Sequence, residues 1–199
     1  MIRATILSLL VAAPAWAAGP PDPNWPCVPR LQPQLSIAQV WAGPVPDAAE
    51  LSAAEAPDIQ ELAQVLALRR TPMPDAEARI AAFADSHDPQ ALVALFAASF
   101  EHIDRARGRV IEGIGRYGHK QVDLQAQIED LRHQFAALDA ADPKDFDKLD
   151  EVEKQIDWST RIFQDRQQSL TYVCETPVIL EQRAFALGRA VQSHLPKEE

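Results

Sequence analysis

The sequence predicts an all-α protein: a long antiparallel helical hairpin of coiled-coil type, with a small helical base and an extended Pro-rich N-terminal strap. Three observations predict it. From Pro89 to about Ala141 no proline occurs and one heptad frame fits nearly every position. A short Asp/Pro stretch then interrupts the pattern, and the heptad resumes beyond it. Much of the proline is concentrated in residues 18–47, where there is little periodicity.

The N-terminus has the three regions of a secretory signal. Arg3 is the positive n-region, "ATILSLLVAA" the apolar h-region, and Ala15-Trp16-Ala17 fits the A-x-A cleavage rule. Residues 1–17 therefore read as a signal peptide, and Ala18 as the first residue of an exported, periplasmic or secreted chain. The apolar run is too short for a membrane span and no later run is long enough, which predicts no membrane insertion after cleavage.

Residues 18–47 read as an extended strap. "PNWPCVPRL" can be neither a helix nor a central strand, because its prolines remove donors and fix φ. Trp25 and Trp41 are its main expected anchors, helped by Val28, Leu31, Leu35, Ile37 and Val40. The pattern of "LSIAQVW" does not decide between a short strand and a helical turn. The chain has two cysteines, Cys27 in the strap and Cys174 near the far end. In an oxidising compartment an even count predicts a disulfide, which would pin the strap to the body. No C-x-x-C suggests redox chemistry.

Residues 48–199 read as the helical domain. "PDIQELAQVLALRR" opens with Pro57 and stops before Pro72; "PDAEARIAAFADSH" opens with Pro74. These are two short base helices. In the long first arm, Val93, Phe100, Arg107, Ile114, Gln121, Ile128 and Phe135 take the a positions. Phe96, Ile103, Val110, Tyr117, Leu124, Leu131 and Leu138 take d. The second arm carries Leu149, Ile156, Phe163, Leu170 and Pro177 at a, and Val152, Ser159, Arg166, Val173, Leu180 and Leu187 at d. Pro177 should kink or break this arm. A short turn at "DAADPKDFD" forces antiparallel pairing, with the hairpin projecting over about residues 105–173.

With the turn near Asp142, residues whose numbers sum to about 287 are expected to lie level, which sets Gln121 beside Arg166, as a polar layer, and Cys174 opposite the region of Gly113. Arg107 would meet Glu175 or the break at Pro177. Gly108, Gly113, Gly115 and Gly118 cluster at that height. Either the strap crosses closely there, with Trp25 and Cys27 over the glycines, or the first arm is locally broken.

The formal net charge of -10 argues against nucleic-acid partners, since phosphate backbones repel an acidic chain. "GIGRYG" matches the letters of a dinucleotide fingerprint, but no strand precedes it and the heptad runs through it. His119 and His133 share a helix face yet stand about 21 Å apart along the axis. No metal or cofactor is expected, and no nucleophile or paired-carboxylate constellation points to an enzyme. The acidic residues near the turn fit a helix N-terminus, with Asp142 as the expected cap.

The expected activity is contact with another protein. Trp158 falls at an outward c position, with Ile162 and Val122 at nearby heights and Asp145 and Asp147 at the tip. An aromatic on a polar helix face either anchors a partner or lies over neighbouring aliphatic stems. The expected function is a non-enzymatic accessory or scaffold protein that binds a periplasmic or envelope protein through the finger. The alternatives are a holdase-type chaperone and a carrier of a small ligand or metal under the strap.

Overall fold

A computed structural model of the chain describes residues 25–196. The signal-peptide reading of residues 1–17, and the start of the strap to residue 24, lie outside the described residues. The element order is α1 (Ile37–Val40), α2 (Ala48–Ala53), α3 (Pro57–Ala67), α4 (Met73–Ala84), α5 (Pro89–Asp139) and α6 (Phe146–Gln192). No strand occurs among the described residues.

Local chemistry sets the helix starts. Asp47 accepts from the backbone N–H groups of Ala49 and Glu50, and Glu50 returns a bond to the Asp47 N–H, closing a capping box at α2. Pro57 and Pro89 occupy first-turn positions, where a missing N–H costs nothing. Asp88 caps α5 through the Ala91 N–H at 2.8 Å. The undecided "LSIAQVW" stretch forms one helical turn, α1, fixed by a Ser36–Gln39 capping box.

α5 and α6 pair along their lengths as an antiparallel hairpin. The heptad reading holds in α5, where every a and d residue is buried or half-buried. In α6 it holds except at Val173, which is 43% exposed. α5 is continuous, so the local break at the glycines does not occur. α6 likewise runs through Pro177, which sits buried inside it. The ring deprives one carbonyl of its donor without ending the helix. The cap of α6 is Asp145 and not Asp142: its carboxylate accepts from the Lys148 N–H.

The base is built by α1 to α4 around the open end of the hairpin. α2 and α3 lie on α5, while α1 and α4 lie on α6. Their wrapping explains why the eight consecutive residues Leu92 to Ser99 are all buried, well beyond a two-helix seam. The core cluster reaches Ile103 on α5 and begins again at Leu180 on α6. Beyond that level the two arms project by roughly 50 Å at 1.5 Å rise per residue.

The strap closes the base. Trp41 is buried and stacks on Phe96 at 4.2 Å between ring centroids, and its indole N–H donates to the Pro44 carbonyl at 2.7 Å. Leu35 and Val40 are buried beside it, and the Leu35 N–H donates to Asp104 Oδ1. Trp25 is half-buried and bonds within the strap, from its indole N–H to the Pro29 carbonyl. Val28 is fully exposed, contrary to its expected role as an anchor. The chain bends at Val28 and Pro29, and Val28 stands at the open rim of the groove beside Cys27.

Candidate functional site

Three surfaces come from the hairpin: the groove beneath the strap, the face carrying Trp158, and the tip. The groove is fixed by a disulfide. Cys27 and Cys174 are bonded, with Cα atoms 5.6 Å apart and 147 residues between them in sequence. The bond ties the strap to the middle of α6, well outside the base core. A loop of that length corresponds to about 5 kcal/mol in the chain-entropy account.

The contacts across the hairpin shift the expected register. The Tyr117 hydroxyl donates to the Arg166 carbonyl at 3.3 Å, and Gln121 Nε2 donates to the Phe163 carbonyl at 3.2 Å. Gln121 therefore bonds the Phe163 backbone and makes no side-chain layer with Arg166. The helix ends at Asp139 and Phe146 centre the turn between residues 142 and 143, so level residues sum to about 284 and not to about 287. In this register Arg107 stands level with Pro177. It is 3% exposed, and its Nε and Nη1 have no hydrogen-bond partner among the described residues. It makes no ion pair with Glu175 among the described residues.

Nor does the strap approach Gly108, Gly113 or Gly115 closely. A Cβ at Gly108 or Gly115 would meet nothing within 4 Å, and at Gly113 only the end of the Arg116 side chain. Gly118 is the buried member of the group and borders the groove with Cys27. The close approach is at Gly188, which the sequence reading passed over. A Cβ there would stand 2.6 Å from the Val40 carbonyl oxygen and 3.3 Å from Phe96 Cε2. The only available signal was a glycine at a heptad position next to the apolar Leu187.

A second residue the sequence reading missed is Arg183. Its Nε donates to the Leu66 carbonyl at 2.7 Å and its Nη1 to the Thr71 carbonyl at 2.9 Å. The guanidinium thus serves the carbonyls at and beyond the C-terminus of α3, where a cation also complements the helix dipole. Burial lowers its pKa from the usual arginine value. His102 is half-buried and shares a 3.0 Å hydrogen bond with Gln60 of α3. Desolvation, then the nearby Arg105 charge, lowers its pKa, with Glu101 opposing.

The predicted contact residues do not form one surface. Trp158 is 65% exposed and borders a shallow depression with Ile162, Leu124, Lys120, Asp123 and Arg166. Val122 faces the opposite side of the hairpin, where it borders the groove beneath the strap. At the tip, Asp145 pairs with the Lys148 ammonium at 2.8 Å, and that hydrogen bond lowers the carboxyl pKa. Asp147 lies exposed in the first turn of α6. No group of three His, Cys, Asp or Glu side chains among the described residues is placed to hold a metal ion. No described helix is long and apolar enough to cross a membrane.

No family model, curated protein or solved structure matches this chain.

Proposed function

We propose that this chain is an exported, non-enzymatic accessory protein that binds another envelope protein through the projecting hairpin. The observation that carries the reading is the exposed Trp158 indole. It sits on a rigid two-helix arm, about 18 Å along the axis from the start of α6. Tryptophan is a favoured anchor residue in interfaces, and a half-apolar depression ringed by charges is the usual anatomy of a contact centre. Ile162 and Leu124 supply the apolar floor, and Lys120, Asp123 and Arg166 the polar rim. Val122 is not part of this contact, and Asp145 is already committed to capping α6. Export is supported by the signal-like residues 1–17 and by a disulfide of the kind that persists in oxidising compartments.

The test is photo-crosslinking in the native envelope from position 158, with exposed Gln134 as the control position. The reading expects one discrete adduct from position 158, absent from position 134 and lost with Ile162→Asp. The same spread of neighbours from both positions would refute it.

A further inference from the structure

The groove beneath the strap has the makings of a small-molecule site, independent of the Trp158 face on the other side of the hairpin. It encloses about 740 Å³, within the range of ligand cavities. Phe163 and Leu170 of the seam border it, together with Val178 and Ile179 of α6, which are 38% exposed. The Cys27 disulfide and its flanking Pro26 and Pro29 close one side. Exposed branched aliphatics around a concave, disulfide-braced space are apolar area that an occupant would remove from water.

One polar atom gives the cavity chemical direction. Gln121 borders it, is only 8% exposed, and uses Nε2 on the Phe163 carbonyl. Its Oε1 is buried and receives no donor among the described residues. A buried amide oxygen without a donor is costly, and a donor brought into the cavity would relieve that cost. Among the described residues the one charged residue bordering the cavity is Glu175, in a chain of net charge -10. An anionic headgroup would be repelled by both.

We propose that this cavity binds an elongated, uncharged apolar molecule carrying one N–H or O–H donor, with that donor on Gln121 Oε1 and the apolar body between Val122, Leu170 and Ile179.

N-phenyl-1-naphthylamine is a suitable probe, being apolar, uncharged and equipped with one N–H. Added to the intact, disulfide-bonded protein, it is expected to give a saturable rise in fluorescence. 1-Decanol should displace it, and decanoate should not at the same concentration. Val122→Trp, which fills the cavity from a half-exposed position, should abolish binding with the circular dichroism melt preserved. Gln121→Leu should weaken it about tenfold, and Trp158→Ala should leave it unchanged. No saturable rise, equal binding by the Val122→Trp protein, or equal displacement by decanoate would overturn the proposal. So would a dimer, seen by sedimentation, that Val122→Trp dissociates, because a second copy would then fill the groove. Loss of the crosslink at position 158 would not bear on this result.

Discussion

Alanine at Gly188 and alanine at Gly115 should move stability in opposite directions, although both positions are helical glycines. In a helix interior, Gly→Ala ordinarily gains up to about 1 kcal/mol, because alanine gives up less backbone freedom on folding. Gly115 offers nothing within 4 Å of the new methyl group, so the full gain applies. At Gly188 the methyl would lie 2.6 Å from the Val40 carbonyl oxygen, whereas ordinary contact begins at 3.4 Å. The strap backbone would have to retreat by several tenths of an ångström, while Phe96 blocks another direction at 3.3 Å. Retreat also loosens the stack of Trp41 on Phe96. Overpacking costs about 1–3 kcal/mol, and a backbone oxygen at 2.6 Å, which cannot swing aside as a side chain would, puts this case at about 2–3; less the helix gain, the net loss is about 1–2 kcal/mol. For a chain of this size the melting temperature should fall by about 3–6 °C in Gly188→Ala and rise by about 1–3 °C in Gly115→Ala. Calorimetry on the oxidised proteins reads both. Equal signs in the two variants would refute the placement of the strap against α6.

Two further outcomes follow from buried or bridging groups. Replacing both Cys27 and Cys174 by serine should lower stability by up to about 5 kcal/mol and make the segment around Pro29 the first site of limited proteolysis, read by mass spectrometry. Arg183→Met should cost about 2–4 kcal/mol in denaturant melts, because the Leu66 and Thr71 carbonyls lose their donor in a buried place.

The hairpin was legible because its signals are local and periodic. Heptad spacing needs only the helix repeat, and Pro143 with its neighbouring aspartates needs only turn chemistry. The cysteine pairing followed from parity and compartment. What the sequence hid depends on register. The heptad does not fix where each arm ends, and a turn centre taken about one and a half residues too late put Gln121 against Arg166 when its partner is the Phe163 carbonyl. Gly188 and Arg183 were hidden for the same kind of reason. Their partners, Val40 and Leu66, lie more than a hundred residues away and are reached only once the base has formed. The contact surface fared similarly: one residue's offset around a helix decides whether Val122 shares a face with Trp158, and it does not.

The seating of α1 on the far end of α6 has a consequence for the order of assembly. Synthesis delivers the strap early and Gly188 late. A chain emerging N-terminus first can stack Trp41 on Phe96 once α5 is made, but Cys27 and Val40 meet Cys174 and Gly188 only as α6 is added. Throughout that interval a thiol and a proline-stiffened tether have no native place to rest. Successful maturation therefore depends on keeping that leading thiol from pairing with a stranger before its own partner arrives.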